Sequence, residues 1–295
     1  MTASDTTPVR LDAFINATEV IALVRQAMGE DMGPQYKDVT SELLVPNDVT
    51  ARAVVQARQP GHVCGVPMMP VICQVYDAAN LAVEVFVTDG QTLEAGTEVC
   101  AFHGPLRSIL ALERVALNFL SHLSGIATLT ARYVQAVTGT RAAICATRKT
   151  IPGLRGLGKY AVVCGGGQSH RMGLHDAVLV KDNHIAHIPL DDLATVLEEA
   201  QRAASSYPQT IRFFEVEVDT CEQLERVLHV APDLVLLDNM AIDQLSHAVA
   251  MRDRLQPAVL LEASGRVSLE TVSAIASTGV DWISVGAMTH SAPAL

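Results

Sequence analysis

Aromatic residues are scarce in this chain of 295 residues: phenylalanine, tyrosine and tryptophan together make up 4%, with a single tryptophan. Platforms that bind single-stranded nucleic acid stack bases on aromatic side chains, so no such platform is expected. Charged residues are also few, at 18%, which argues against a disordered chain. Acidic residues outnumber basic ones, and the net charge of −11 repels nucleic-acid phosphates and anionic membranes at long range.

Disulfide and targeting signals are missing as well. The six cysteines are scattered, and none forms a C-x-x-C pair. In a long chain rich in apolar residues, this pattern indicates a reducing compartment rather than a disulfide framework. The N-terminal stretch MTASDTTPVRLDAF has no positive region followed by an apolar one, and no run of about 18 apolar residues occurs. The sequence therefore predicts a cytoplasmic protein without a signal peptide or a membrane span.

Apolar residues make up 49% of the chain, enough for one large domain or two of ordinary size. A helix is predicted to begin with Thr18 as its cap, because apolar residues recur at helical spacing from Val20. Between residues 49 and 102, the runs ARAVVQA and LAVEVFV alternate with turn signals, which predicts mainly antiparallel strands. Residues 106–136 are predicted to form two helices broken near Ser124-Gly125.

After residue 140, short apolar segments alternate with helical ones. The predicted strands are AAIC (142–145), AVLV (177–180), FFEVEV (213–218), LVLL (234–237), AVLLE (258–262) and WISVG (282–286). Most are separated by stretches with helical spacing, such as CEQLERVLHVA and IDQLSHAVAMRDRL. Alternating βα units predict a parallel sheet covered on both faces, which either closes towards a barrel or winds into an open sheet.

Polar residues at the ends of these strands favour the barrel. The ends carry Arg148-Lys149, Lys181, Glu217, Asp238, Glu262 with Ser264, and Gly286. In a βα barrel the carboxyl ends of the strands converge on one mouth, where active sites lie. Polar residues also simply begin loops, but that alternative explains two cationic and three acidic endings less well.

A basic segment lies within this acidic protein. Residues 141–181 contain one acid, Asp176, and seven cations: Arg141, Arg148, Lys149, Arg155, Lys159, Arg171 and Lys181. Arginine and lysine in such numbers suit a ligand with several carboxylates or phosphates. The alternative is that the cations pair with acids elsewhere in the chain. The triplet Gly165-Gly166-Gly167 is equally open, because it permits close approach of a ligand but also suits the C-cap of a helix.

The acids Glu217 and Asp238 are predicted to lie at neighbouring strand ends. Two carboxylates beside a phosphorylated ligand suit Mg²⁺, which prefers oxygen ligands and keeps several waters. The alternative is that they only pair with lysines across the barrel. No histidine–cysteine cluster has the spacing of a zinc site.

The segment TRKTIPGLRGLGKYAVVCGGGQSHRMGLHDAVLVKDNHI resembles the signature region of the quinolinate phosphoribosyltransferase family. The likeness continues through EVEVDTCEQL, LVLLDNM, LLEASG and ISVGAMTHS, and upstream through LERVALNFLSHLSGIAT. The resemblance implies an α/β fold, with an N-terminal α/β sandwich domain and a C-terminal incomplete TIM-like α/β barrel. It also implies transfer of phosphoribosyl from phosphoribosyl pyrophosphate (PRPP) to quinolinate with decarboxylation, Mg²⁺ as cofactor, and a homodimer. We place the domains at residues 1–118 and 119–295.

The resemblance also implies roles for individual residues. Arg148, Lys149, His170 and Arg171 line the pocket for the quinolinate carboxylates, Lys181 faces substrate and pyrophosphate, and Arg114 reaches in from the other subunit. Glu217 and Asp238 hold the ribose hydroxyls and Mg²⁺. Ser264, Gly265, Gly286 and His290 cradle the 5′-phosphate through backbone N–H groups and nearby side chains. The expected catalytic residues are Lys149, Lys181, Glu217 and Asp238.

Two departures and three rival functions remain at this point. Ala146 replaces the usual acid before TRKT, which affects the expected orientation of Arg148. The final segment, which is expected to pack back on the N-terminal domain, is expected to be short or missing, because the sequence stops soon after THS. The rivals are a relative with the same fold that acts on another heterocyclic acid, a Schiff-base aldolase that uses Lys181, and a nucleotide sensor without catalysis.

Overall fold

The computed structural model describes residues 9–77 and 79–295, and they form two compact units. The first unit contains the described residues up to Ala131, together with Pro152–Gly166 and Ser291–Leu295. The second unit contains Arg132–Ile151 and Gly167–His290. The two units therefore interleave along the chain. The first eight residues of the stretch on which the absence of a signal peptide was argued lie outside the described residues.

The first unit begins with a 3-10 turn, Leu11–Ala13, and helix α1, Ala17–Met32. The predicted cap Thr18 is wrong, because Asn16 caps this helix. The Asn16 side chain accepts a hydrogen bond from the Glu19 backbone at 2.9 Å, and the Glu19 carboxylate accepts one from the Asn16 backbone at 3.1 Å. This reciprocal capping box places the helix start two residues earlier. The apolar spacing was read correctly, since Val20, Val24, Met28 and Met32 are buried.

The strands of the first unit are antiparallel, as predicted. Strands β1 (Thr50–Gln56), β3 (Ala82–Val85) and β5 (Glu98–Pro105) form a sheet in the order β1-β5-β3. Two short strands, β2 (Gly61–His62) and β4 (Thr92–Leu93), pair separately. Helices α2 (Val39–Leu44), α3 (Met68–Asp77) and α5 (Arg155–Cys164) complete the unit together with most of a long helix.

That long helix, α4, runs without interruption over Leu106–Ala136, so the predicted break near Ser124-Gly125 is wrong. Both residues serve packing instead. The Ser124 hydroxyl accepts a hydrogen bond from the Cys64 backbone N–H at 2.9 Å and donates one to the Cys64 carbonyl at 3.2 Å. A Cβ on Gly125 would overlap the carbonyl of Pro293. The final segment, Ser291–Leu295, therefore packs on α4 within the first unit, where the Leu295 N–H also donates to the Ser121 carbonyl at 3.0 Å.

Helix α4 is also long and apolar enough to cross a membrane by length and composition alone. In its most apolar stretch 56% is buried inside the fold, as expected of a core helix.

The second unit is built on a seven-stranded parallel sheet. The strands are β6 (Ala143–Ala146), β7 (Gln168–Ser169), β8 (Val178–Val180), β9 (Phe214–Val218), β10 (Leu234–Asp238), β11 (Leu260–Ser264) and β12 (Trp282–Ser284). Their order is β7-β6-β12-β11-β10-β9-β8. All six predicted strands are present, and only the two-residue strand β7 was missed. Helices α6 (Asp182–Ile185), α7 (Leu193–Ser205), α8 (Cys221–Val230), α9 (Ile242–Leu255), α10 (Val272–Ser277) and α11 (Ala287–His290) alternate with the strands. The predicted α/β class and the incomplete barrel are confirmed.

One predicted member of the basic segment belongs to the amino end of this sheet. Arg141 precedes β6 and forms an ion pair with Asp281, which precedes β12. Arg252, fully buried on α9, donates to Asp281 at 2.6 Å and to the Val259 carbonyl at 2.8 Å. For Arg141, the alternative of pairing with a distant acid is therefore correct.

Candidate active site

The carboxyl ends of the seven parallel strands bring together most of the predicted site residues. At or just beyond these ends, from one edge of the sheet to the other, lie Arg171, Arg148, Gly286, Ser264, Asp238, Glu217 and Lys181. Cations therefore occupy both edges, small residues follow on two central strands, and carboxylates occupy the next two. Such a distribution suits a ligand with anionic groups at several points and a phosphate near the centre.

Two arginines form the most basic part of this edge. Strands β6 and β7 pair through Ala146 and Ser169, so Arg148 and Arg171 each lie two residues beyond paired positions. Arg171 is 5% exposed, and its Nη1 lies 3.4 Å from the Ala177 carbonyl. Burial, and then the positive charge of Arg148, lower the pKa of Arg171.

The Nε atom of Arg148 is buried and has no hydrogen-bond partner among the described residues. A buried donor without a partner costs free energy, so an anion beside Arg148 would satisfy it. The departure at Ala146 does not disturb the strand, because this buried residue keeps its place in β6.

Lys149 lies beside Gly286 and His290. The Thr289 hydroxyl donates to the Lys149 carbonyl at 2.8 Å, which ties the loop after β6 to helix α11. A Cβ on Gly286 would lie 3.2 Å from both Lys149 Cδ and His290 Nε2. The glycine therefore keeps open a space that a lysine and a histidine border.

Lys181 and Glu217 form an ion pair at the other edge of the sheet. Glu217 is nearly buried, with 8% of its side chain exposed, whereas the Lys181 side chain is 40% exposed. Lys181 therefore pairs with an acid elsewhere in the chain, on the neighbouring strand β9. The ion pair nevertheless lies at the carboxyl end, beside Asp238 on the next strand, where a ligand can exchange with it.

Asn239 connects the acidic and the glycine-containing strand ends, and sequence reasoning missed it. Its backbone is left-handed, with φ of 53°, and its N–H donates to the Ser264 carbonyl at 2.9 Å. Its side-chain amide donates to Asp238 Oδ2 at 2.6 Å. Gly265, with φ of 97°, packs so closely against the Asn239 side chain that a Cβ would overlap it. Asparagine tolerates this conformation better than most residues, which is the signal in LLDNM.

His170 lies at the bottom of the site between two glutamates. Its Nε2 is 3.0 Å from Glu215 on β9 and 3.2 Å from Glu262 on β11. Because β7 is at the edge of the sheet, these contacts require the sheet to curl, as in an incomplete barrel. Burial by itself lowers the pKa of His170, but Glu215 and Glu262 outweigh it and raise the pKa to about 9. Burial, followed by the charge of Glu262, raises the pKa of Glu215 to about 7.

Glu215 was not predicted as a site residue, and Glu262 was noted only as a strand end. The signal for Glu215 was present in FFEVEV, because Glu215 and Glu217 are two residues apart and therefore share one face of β9.

Three predicted cations lie in the first unit. Arg114 lies on α4, whereas Arg155 and Lys159 lie on α5, where Lys159 is fully buried. Gly165 caps α5, and a Cβ there would overlap the Ala127 carbonyl. The structural alternative is therefore correct for Gly165.

Family comparisons agree with this geometry. The family model for the N-terminal domain of quinolinate phosphoribosyl transferase matches residues 38–124, and the model for its C-terminal domain matches residues 126–295. The chain belongs to the quinolinate phosphoribosyltransferase family. It is an enzyme of that family, and the resemblance found in the sequence is confirmed.

Individual relatives extend over nearly the whole chain. The nicotinate-nucleotide pyrophosphorylase [carboxylating] of Mycobacterium leprae is 42% identical over 91% of this chain and 92% of its own. A probable enzyme of the same name from Bacillus subtilis is 35% identical over 95% and 93%. The solved nicotinate-nucleotide pyrophosphorylase of Francisella tularensis has a TM-score of 0.86 at 34% identity, over 99% of this chain and 98% of that one.

Membership of the quinolinate phosphoribosyltransferase family also bears on two rivals. A Schiff-base aldolase needs a lysine that acts as a neutral amine, whereas Lys181 is ion-paired with Glu217. A sensor without catalysis has no support among relatives that are named as enzymes.

Proposed function

We propose that this chain transfers the phosphoribosyl group of PRPP to the ring nitrogen of quinolinate, with release of pyrophosphate and CO₂. The product is nicotinate mononucleotide, a precursor of NAD. The observation that carries this proposal is the pair Arg148 and Arg171, two neighbouring guanidinium groups of which one has a buried donor without a protein partner. A substrate with two carboxylates satisfies both.

Quinolinate would bind at the β6–β7 edge of the sheet. Arg148 and Arg171 offer planar donors that match carboxylates, and Lys149 and His170 add positive charge on either side. Nicotinate has only one carboxylate, so it would leave some of these cationic side chains without an anionic partner. This difference favours quinolinate over other heterocyclic acids.

PRPP would extend from there towards the acidic strand ends. Ser264, Gly265 and Gly286 offer backbone N–H groups beside His290 for the 5′-phosphate. Lys181 and Lys149 would bind the pyrophosphate, and Glu217 and Asp238 would bind the ribose hydroxyls. The Lys181–Glu217 ion pair then opens, because pyrophosphate replaces the carboxylate as the partner of the lysine.

Glu217 and Asp238 also fit a magnesium ion. Both are carboxylates on adjacent strands, and Asp238 Oδ2 is fixed by the Asn239 amide. Two protein oxygens are enough for Mg²⁺, which fills its remaining positions with phosphate oxygens and water. When bound, the ion would offset the negative charge of pyrophosphate.

The reaction itself needs no protein nucleophile. The bond between C1 of the ribose and the pyrophosphate oxygen breaks, the quinolinate nitrogen forms the new bond to C1, and Glu217 stabilises the positive charge that develops there. The alkylated ring nitrogen is cationic, so it stabilises the electron pair that stays on the adjacent ring carbon when the bond from that carbon to its carboxylate breaks. CO₂ leaves, and the ring carbon takes up a proton.

We further propose that the enzyme is a homodimer in which Arg114 of each subunit completes the site of the other. Arg114 borders a cavity of about 910 Å³ in the first unit, together with Val54, Phe102, Leu117 and Leu295. All six cysteines are free and five are buried, which supports the predicted cytoplasmic location.

Incubation with quinolinate, PRPP and Mg²⁺ tests the function, with CO₂ and nicotinate mononucleotide measured together. Equal amounts of both products are expected, and nicotinate should not replace quinolinate. Arg148→Ala should lower kcat/KM for quinolinate at least 100-fold, on the order of one lost bidentate pair. The matched control is Arg141→Ala, which removes a cation at the opposite end of the same strand. PRPP binding without release of CO₂ would show that the substrate is wrong.

A further inference from the structure

The floor of the site contains a cluster of charges that the proposed reaction does not use. One ring nitrogen of His170 lies within 3.2 Å of two carboxylates, Glu215 at 3.0 Å and Glu262 at 3.2 Å. All three side chains are buried, with exposed fractions of 7%, 0% and 1%. The Ser284 hydroxyl donates to the other oxygen of Glu262 at 2.5 Å.

We propose that Glu215 and Glu262 are positioning residues for quinolinate binding: together they fix the His170 ring and keep it cationic, so that it attracts a substrate carboxylate. This inference rests on the proposed function, because it assigns the cation that they maintain to the quinolinate pocket. Neither glutamate contacts the substrate in this scheme.

The geometry requires a proton between the three groups. A neutral imidazole with an unprotonated Nε2 would place three acceptors against one another in a buried space, which is unfavourable. A proton on Nε2 removes that conflict, and two buried carboxylates at ion-pair distance favour the ring that has a proton on both nitrogens over the neutral ring. Two carboxylates around one cation leave an excess negative charge, which Arg171, the residue after His170, and the Ser284 hydroxyl help to offset.

Two aromatic rings also border His170. The rings of Phe213 and Trp282 stand edge-on to the imidazole at centroid distances of 5.1 and 5.8 Å. These rings restrict the imidazole to one orientation and exclude water. The charged groups that raise the pKa of His170 are Glu215 and Glu262, and Arg171 is the next residue in the chain.

Affinity for quinolinate should consequently depend on pH in a defined direction. The two glutamates raise the pKa of His170 to about 9, so the ring is cationic throughout the neutral range and loses its charge as the pH rises through 9. The KM for quinolinate should therefore rise as the pH increases through about 9. Without one glutamate the rise should begin closer to the ordinary histidine pKa of about 6.5.

The first test is a titration of His170 in the unmodified protein, by ¹⁵N histidine NMR with the signal assigned from His170→Gln. We expect a doubly protonated ring up to a pH near 9. Titration near the ordinary value of about 6.5 would overturn the proposal, even if every glutamate variant failed to fold.

The second test compares Glu262→Gln and Glu215→Gln. Each should raise the KM for quinolinate about 10- to 100-fold, as expected for loss of a charge-assisted hydrogen bond, and leave the KM for PRPP within about twofold. The variants should also move the pH at which the quinolinate KM rises, which a merely structural role would not do. The control is Glu84→Gln, since Glu84 lies 3.7 Å from His103 but is 61% exposed.

Other outcomes separate this inference from the proposed function. If quinolinate is not a substrate but His170 titrates near 9, the proposed function fails and the charge cluster stands without its assigned ligand. If the enzyme is active and the glutamine variants keep the normal quinolinate KM, only the inference fails. The three groups are also close enough to share a metal ion, so stoichiometric Zn²⁺ that displaces the histidine protons would overturn the proposal.

Discussion

At the scale of single residues, the left-handed Asn239 determines how two proposed ligand groups face each other. Its amide fixes one oxygen of Asp238, and its side chain fits a space that only a glycine at position 265 leaves. Asn239 thus fixes the position of Asp238, whose carboxylate we propose binds PRPP and Mg²⁺. It also packs against Gly265, in the turn that we propose binds the phosphate. The main-chain strain of about 1–2 kcal/mol at a left-handed residue is tolerated because both contacts depend on it.

Replacement of Asn239 should therefore affect PRPP and not quinolinate. Asn239→Gly keeps the left-handed backbone accessible but removes the amide, and we expect the KM for PRPP to rise about tenfold for one lost hydrogen bond to a charged group. Initial rates with each substrate varied in turn measure this. Asn80→Ala is the matched control, because Asn80 also donates to a neighbouring carboxylate, that of Asp77, but on the surface. An equal rise in both KM values would contradict a specific role at the PRPP end.

Asp176, the only acid of the basic segment, should stabilise the loop after β7 in a pH-dependent manner. Burial alone raises its pKa, but the backbone N–H groups of Gly173 and Met172 and the side chain of Arg212 lower it overall. A lowered pKa means that the stabilisation is present above the unfolded value of about 3.9 and is lost as the pH falls through the folded value.

Asp176→Asn should consequently lower the free energy of unfolding by about 1–2 kcal/mol at pH 7, the range for a partly lost buried hydrogen-bond set. The difference from the unmodified protein should shrink towards pH 3. Urea unfolding at several pH values measures it. A difference that does not change with pH would show that the carboxylate charge is not responsible.

At the scale of elements, the unbroken helix α4 shows how tertiary packing overrides a local signal. Serine and glycine together predict a helix break, but here the hydroxyl bonds to Cys64 and the glycine admits the final segment. The same glycine substitution should therefore have opposite effects in two helices.

Gly125→Ala should destabilise the protein by about 1–3 kcal/mol, because the new methyl group overlaps the Pro293 carbonyl and displaces the final segment. Gly29→Ala in α1 meets nothing within 4 Å and should stabilise by about 0.5–1 kcal/mol through helix propensity. Thermal unfolding of both variants and of the unmodified protein measures these changes in stability. Stabilisation by Gly125→Ala would show that the final segment does not depend on this contact.

Strands and strand ends could be predicted from the sequence far better than the contacts between them. The apolar runs gave all six longer parallel strands, because the buried faces of a parallel sheet leave a plain local signal. Strand β7 has only two residues, Gln168 and Ser169, and shows no periodicity. The start of α1 was displaced because Thr18 and Asn16 are both good caps, and only the position of Glu19 decides between them.

Site residues could be predicted from the sequence where they directly follow their own strands. They were harder to predict where their contacts depend on the curvature of the sheet. Arg148, Arg171 and Lys181 follow their strands directly. Glu215 and Glu262 become partners of His170 only because the sheet curls. The spacing of residues in the sequence does not predict this curl. Arg141 was grouped with the site because it is close in sequence, although it lies at the opposite end of β6.

At the scale of the whole molecule, the two ends of the parallel sheet have different tasks. The amino end contains Asp281 between two arginines, and its Oδ2 also accepts from the Leu261 backbone at 2.9 Å. Asp281→Asn should lower the free energy of unfolding by about 3–5 kcal/mol, since it leaves buried Arg252 without its main partner. The KM values of the remaining folded enzyme should not change. Guanidinium unfolding and initial rates test this separation, which a large rise in either KM would contradict.

The assembly proposal leads to a test on mixed subunits. If Arg114 completes the site of the partner subunit, Arg114→Ala and Arg148→Ala should each inactivate their own homodimer. A heterodimer of the two variants contains one site with both arginines intact. Random mixing gives heterodimers in about half of the assemblies, so activity should recover to about a quarter of that of the unmodified enzyme.

The matched control mixes Arg148→Ala with Arg171→Ala, two changes in the same unit of one chain. No site in any mixed dimer then has both arginines, so activity should stay low. Refolding of separately tagged subunits, with the heterodimer purified through both tags, allows the activity per intact site to be measured. Recovery in the control as well, or none with Arg114→Ala, would show that Arg114 acts within its own chain or not in the site, because only a contribution across the interface permits one pair to complement and the other not.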